Sequence, residues 1–417
     1  MLIFFISPSK KFRVYEYLYG VTKRKSTLGD LILLLMVKGW LVFMKVLDNV
    51  FRRQPVNAKR QVEMDIARGL AVFFMILVHV SGGLSSIATG NTIFCKVIDF
   101  FGTIPAAPVF MFLMGVGFVY SRNQSPIVLF KRGIIIYIGG YVLNFFRGFL
   151  PLFIGSKMGY YSLNIDGTPW YYYLIEGDIL QFAGLAMMFT AFLKKLRISE
   201  VYYPIMALAI AIATPFVAGF NTGNSIIDTL ILTIFGKYGY VFHPFFSWMV
   251  YPLMGSFFAW MLMRTESKNK FYLRATCISV IVAIPGIIYY IMNPSIDLGI
   301  VTGDIYNYYQ HGILSNTLFV PFVVIWLAIW HLTASIIPAF VKNRLFFWSK
   351  AVTIIYVVHW LIVGWSEFLF VEELSLGNTI IAMVIITFFA DRIADLYIKI
   401  KDRLGERNDP ALNPHMN

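Results

Sequence analysis

Residues 63–80 read EMDIARGLAVFFMILVHV, and this stretch decides how the chain is built. Glu63, Asp65 and Arg68 stand at its start, and every later position is apolar or small except His79. A run of about 20 such residues is the length that carries a helix across a hydrocarbon core. At 100° per residue Asp65, Arg68, Val72, Ile76, His79 and Gly83 fall on one stripe, so the charged entrance and the imidazole face the same way. Arg68 and His79 are then about 16 Å apart along the helix.

Working outward, comparable apolar runs recur. They cover 66–86, 97–120, 127–149, 179–193, 201–220, 242–263, 271–292, 313–332, 346–370 and 379–398, the fourth being short and open to an earlier start near Tyr172. Hydrophobic residues make up 58% of the 417 positions and charged residues 14%, too few charges to solvate a soluble surface of this size. The expected fold is therefore all-α: a polytopic integral membrane protein of about ten transmembrane helices. Residues 1–60 form an N-terminal cytoplasmic segment, 61–399 the membrane domain and 400–417 a cytoplasmic tail.

The net charge of +13 suits a nucleic-acid binder only if basic residues gather on one soluble module, and none is present. The excess tracks sidedness instead. With both termini cytoplasmic, only Lys96, Arg147, Lys157 and Lys237 of the 35 Lys and Arg fall outside, as the positive-inside rule requires. A cleaved leader is not expected, because the short apolar run at 1–7 precedes the basic cluster instead of following it. Residues 28–51 are also apolar but carry Lys38, Lys45 and Asp48, in line with Arg52 on one stripe. A helix lying in the membrane plane fits them better than an eleventh span, which would strand Lys23, Arg24 and Lys25 outside.

Cys95 and Cys277 belong to opposite faces of the membrane, which disfavours a disulfide. The six histidines are scattered with no metal-ligand spacing, so no metal is expected.

An ionisable residue as deep as His79 is a functional candidate. A stripe running from Arg68 to His79 suits a donor with a charged, phosphate-bearing head and a long arm, the shape of acyl-coenzyme A. Arginine holds phosphate by paired hydrogen bonds, and neutral histidine takes a proton from a hydroxyl or amine near neutral pH. The residues leave a second reading open, in which Asp65 and Arg68 are a structural pair at the start of the helix and His79 is a hydrogen-bonder between helices.

The pattern Asp65-x-x-Arg68-Gly69 with His79 fourteen residues after the Asp resembles the first helix of the acyltransferase-three family of glycan O-acyltransferases. A closer likeness is to the bacterial relatives of the heparan-alpha-glucosaminide N-acetyltransferase family. PVFMFLMG (108–115), Leu180-Gln181-x-x-Gly184, HPFFSWMVY (243–251) and IIYVVHW (354–360) resemble segments of these proteins in order, so the likeness covers 61–399. There are two departures. The heparan-type enzymes have Asn at the place of His79 and a catalytic histidine shortly after it, whereas no histidine occurs here between Val80 and Phe242. The acyltransferase-three pattern of two arginines three apart at the start of the third helix is replaced by Lys131-Arg132 followed by Ile135.

What the resemblance implies is a membrane acyltransferase, most simply an acetyltransferase. It would use cytoplasmic acetyl-CoA as donor co-substrate and a hydroxyl or amine of an extracytoplasmic glycan or glycolipid as acceptor. His79 would be the general base and Asp178 would orient it or the acceptor. Arg68, Arg122, Lys131 and Arg132 would bind the donor, with simple topology-setting charge as the competing account of the last three. Trp170, Gln181 and His311 are the acceptor-side candidates. Against this stand an aromatic belt at Trp170 to Tyr173, and ordinary exposure for the loop histidines His311 and His243. Buried His359 is more noteworthy, and Lys350 would snorkel to the interface. The partners expected are membrane lipids and the acceptor, with no nucleic acid and with a homodimer left open, in the cell membrane. The rival class is a secondary transporter or a lipid or glycan exporter, whose mark would be paired interrupted helices in two related halves, and no such repeat is visible. A non-catalytic relative would keep the fold and tolerate loss of His79.

Overall fold

The computed structural model describes residues 51–160, 162–164, 168–236, 241–298, 308–369 and 373–407. The in-plane helix expected at 28–51 lies outside them apart from Phe51. The first expected span is helix α1, Val62–Leu84, with Glu63 and Asp65 in its first turn. Its 23 residues rise about 34 Å, enough to cross a bilayer core. The second is broken into α2, Ile93–Gly102, and α3, Ala107–Tyr120. Pro105 falls in the break and Pro108 within the first turn of α3, where its missing N–H costs nothing. The third is α4, Pro126–Asn144, which passes through a π-helical segment, Phe145–Phe149, into α5, Leu150–Lys157.

The fourth does not reach back to Tyr172. A separate turn, Tyr172–Ile175, is followed by a break at Glu176 and Gly177, and α6 runs Ile179–Lys195 from the N-cap Asp178. Then come α7, Tyr203–Val217, and α8, Ser225–Phe235, an 11-residue helix that lies between two expected spans. The rest are α9, Val250–Met263; α10, Lys268–Met292; α11, Ile313–Thr333; α12, Ala339–Leu369; and α13, Leu376–Arg407. Among the described residues eight helices are long and apolar enough to cross a membrane. The other two expected spans are also helical, α6 at 17 residues and α13 at 32. The chain is thus an all-α polytopic membrane protein.

Helix α1 is the hub, packing on α2, α3, α11, α12 and α13. Its Met64, Ala67 and Ala71 join an apolar core with α3, α9 and α11. Its Val72, Ile76, Leu77 and Val80 join a second core with α12 and α13. The window covering α9 is 72% buried and that of α10 only 17%, which separates a central helix from a peripheral one. The exposed residues of α10 include Leu273, Ile278, Ile281 and Ile291, an apolar surface suited to lipid.

Three helix pairs approach until backbone meets backbone. A Cβ on Gly69 of α1 would collide with the Leu345 carbonyl of α12. One on Gly115 of α3 would strike the Pro252 carbonyl of α9, and one on Gly255 of α9 the Phe112 carbonyl of α3. Gly133 of α4 and Gly184 of α6 are similarly reciprocal, each closing on the other's carbonyl. Only a missing side chain allows such approach, and contact between backbones supplies packing that lipid cannot.

Candidate active site

Asp178 caps α6. Its Oδ1 accepts from the Ile179 N–H (2.7 Å), and its own N–H donates to Gln181 Oε1 (3.1 Å), a capping box. The carboxylate does more than cap. Its Oδ2 accepts from the Tyr356 hydroxyl of α12 at 2.7 Å and lies 3.2 Å from the Arg147 guanidinium. His243 Nδ1 stands 3.2 Å from Oδ1. An isolated β-bridge between Gly177 and Val241 brings the two loops together, with the Phe242 N–H donating to the Gly177 carbonyl (2.8 Å).

Arg147 belongs to the π segment after α4 and is 5% exposed. A π turn changes the phase of a helix, and such turns recur at functional sites. Arg147 donates to Glu176 (3.1 Å) and to Asn144 Oδ1 (3.3 Å), and its guanidinium lies 4.1 Å above the Trp360 ring. Gly364 of α12 leaves room for this segment, since a Cβ there would collide with the Arg147 carbonyl. One buried cation thus meets two carboxylates and an indole, the pairing that makes a buried charge tolerable.

Trp360 leads to His79. The two rings are 4.2 Å apart, and His79 Nδ1 is 2.9 Å from Nε2 of His359, which lies one turn after Ile355 and Tyr356 on α12. His359 Nδ1 is 3.0 Å from the Ile355 carbonyl oxygen. His359 is fully buried and His79 is half-buried.

At the other end of the stripe, Arg68 donates to the Leu113 carbonyl (3.2 Å) and to Ser349 Oγ (3.5 Å). Ser349 donates to Asp65 (2.7 Å), whose ion-pair partner is Arg60 (2.5 Å). The pair read from the sequence is therefore joined through Ser349 instead of by direct contact, because α12 inserts a hydroxyl between the two side chains.

A cavity of about 300 Å³ opens among α3, α4, α6 and α12. Arg68, Arg132, Lys194, Asn123 and Gln124 line it, then apolar residues such as Leu113, Met114, Leu180 and Met187, then Ile179 and Tyr356. Along α6 the lining runs from Ile179 to Lys194, a rise of roughly 22 Å. Tyr356 lies in its wall and also bonds Asp178, so the cavity and the buried ion network share that residue.

The remaining sequence candidates are distributed differently. Arg122 and Lys131 are exposed and do not line the cavity. Trp170 is 42% exposed and packs its ring against Phe149 and Tyr171. Gln181 is engaged in the α6 cap, its Oε1 accepting from the Asp178 N–H (3.1 Å) and its amide nitrogen donating to the Glu176 carbonyl (3.3 Å). His311 and His243 are buried, not exposed. The His311 ring sits 4.3 Å from Trp248, with Nδ1 on the Tyr251 hydroxyl (2.8 Å) and Nε2 unpartnered. Lys350 is exposed, and Cys95 and Cys277 are free. Arg147, Lys194 and Tyr356 were not singled out from the sequence as site residues. Arg147 inside the apolar run FFRGFLPLF was the available signal, an ionisable group at membrane depth.

The model of the heparan-alpha-glucosaminide N-acetyltransferase catalytic family matches residues 60–294, more than half of the chain. The chain belongs to this family. No curated protein matches it. Membership of the heparan-alpha-glucosaminide N-acetyltransferase family, together with the apolar helices, makes it a multi-pass membrane protein of acetyltransferase type. The family match contains Arg68, His79, Arg147, Asp178 and Lys194. It ends before α11, so Tyr356, His359 and Trp360 come from a part of the chain that the match does not reach.

Proposed function

We propose that this protein moves an acyl group, most simply acetyl, from cytoplasmic acyl-coenzyme A to a hydroxyl or amine of an extracytoplasmic glycan or glycolipid, in the cell membrane. The observation that carries the reading is the cavity with cationic residues at one end and, at the other, a tyrosine shared with the Asp178 network beside His359 and His79. With both termini inside, the basic end faces the compartment that supplies the donor.

In this reading Arg132 and Lys194 hold the phosphates of the donor, with Arg68 deeper, by charge-assisted hydrogen bonds. The apolar throat takes the arm. His79 accepts the proton of the attacking hydroxyl or amine as the new bond to the acyl carbon forms and the carbon–sulfur bond breaks. That proton then passes to the departing thiolate, so His79 ends as it began. Prior transfer of the acyl group to His79 itself is served by the same placement. Arg147, Asp178 and Glu176 hold α4, α6 and α12 in register around the reacting residues.

The test is transfer of label from acetyl-CoA to a glycan acceptor by purified protein in liposomes, with saturable thermal stabilisation by acetyl-CoA as a separate readout. Stabilisation that disappears when Arg132 and Lys194 are both replaced by Glu supports the donor site. Absence of both stabilisation and transfer, with substrate-driven proton or sodium flux instead, would show a transporter.

A further inference from the structure

His79 is a neutral base only if one ring nitrogen keeps its lone pair, and the two nitrogens are not equivalent. The hydrogen-bond chain decides which one does. The Ile355 carbonyl can only accept, so His359 Nδ1, 3.0 Å away, must be its donor. Neutral His359 then presents a lone pair at Nε2. That lone pair is 2.9 Å from His79 Nδ1, which must therefore carry the hydrogen. The unprotonated nitrogen of His79 is Nε2, and it has no partner among the described residues.

We infer that His359 is a positioning residue that holds His79 in its Nδ1–H tautomer and leaves Nε2 as the working base, an inference resting on the reading of His79 as that base. Access separates the two histidines. His359 is fully buried with both nitrogens engaged, whereas His79 is half-buried with Nε2 free. The rings are nearly parallel, 8° apart, and Trp360 packs against His79 at 4.2 Å, so ring rotation that would exchange the two nitrogens meets the indole. The direction of the chain is set by a helix carbonyl, which does not titrate and does not turn.

Two replacements separate positioning from packing. His359→Phe keeps a ring but offers no acceptor, and is expected to lower kcat on the order of tenfold to a hundredfold with the KM for acetyl-CoA unchanged. His359→Gln extends an amide oxygen to the place of Nε2 and is expected to restore most of that loss. Nitrogen-15 spectra of histidine-labelled protein, with His79 assigned by comparison with His79→Gln, read the tautomer without any turnover. Wild type should show Nδ1 protonated and Nε2 bare, and His359→Phe a mixture. Wild-type kcat in His359→Phe, or a protonated Nε2 in wild type, would overturn the inference. The expected spectrum in a protein that transfers no acyl group would sink the proposed function and leave the tautomer standing.

Discussion

The two ends of the cavity treat charge in opposite ways. At the basic end Arg132 is exposed and Lys194 half-buried, and neither forms an ion pair among the described residues. Lys194 bonds only neutral groups, the Phe118 carbonyl and Gln124. Beyond the other end, past Tyr356, Arg147 is enclosed by Glu176, Asp178 and Trp360. A cation left in water is inexpensive and free to take an anionic ligand, while one removed from water must be matched inside the protein. The first arrangement suits capture and the second suits placement.

Mutations should therefore fail in different ways at the two ends. The largest effect belongs to His79→Ala, which should reduce kcat on the order of 10²- to 10⁴-fold with acetyl-CoA stabilisation retained, as measured by label transfer and by melting. Arg147→Met should remove about 3–5 kcal/mol of stability, because Asp178 and Glu176 lose their cation inside the protein. A marked fall in melting temperature in detergent checks this, and an unchanged melt would mean that the network is wetter than its geometry implies. Lys194→Met together with Arg132→Met should raise the KM for acetyl-CoA about tenfold with little change in kcat or melting, since each of two solvent-screened ion pairs contributes up to ~1 kcal/mol and tenfold corresponds to about 1.4 kcal/mol. Arg122→Ala should change KM less than about twofold, as expected of exposed charge away from the cavity. If the Lys194 and Arg132 pair altered stability and Arg147→Met altered only KM, the contrast between the ends would be wrong.

The helices were legible because lipid imposes one simple demand, an unbroken apolar run, and the sequence meets it repeatedly. The stripe on α1 was legible for a similar reason, because residues three and four apart share a face whatever the rest of the fold does. The partner of His79 was not. His359 lies 280 positions away in the chain, and no periodicity reports which distant helix will pack against which. Tyr356 and Gln181 show the converse limit. Tyr356, flanked by apolar residues and not singled out in the sequence, joins the cavity wall to Asp178, while Gln181, in a resembling motif, is engaged in a helix cap. Arg147 was visible as a residue but was counted among the few charges on the outer side, since the charge rule sorts cations by side and says nothing of the two acids that bury this one. Burial of His311 and His243 was likewise invisible, because it depends on a loop folding back over Trp248.

The glycine seams bear on how an acyl group would cross the protein in the proposed reading. Carriers that alternate between two faces do so by letting one group of helices slide or rock over another. Here α3 is keyed to α9, α4 to α6 and α1 to α12 at points where backbone already touches backbone, so sliding within these three pairs is opposed by direct contact. In the proposed reading, pairs locked in this way form the walls of a conduit through which the acyl group travels. Turnover would then follow the chemistry and the diffusion of donor and acceptor, and would depend little on bilayer thickness or stiffness.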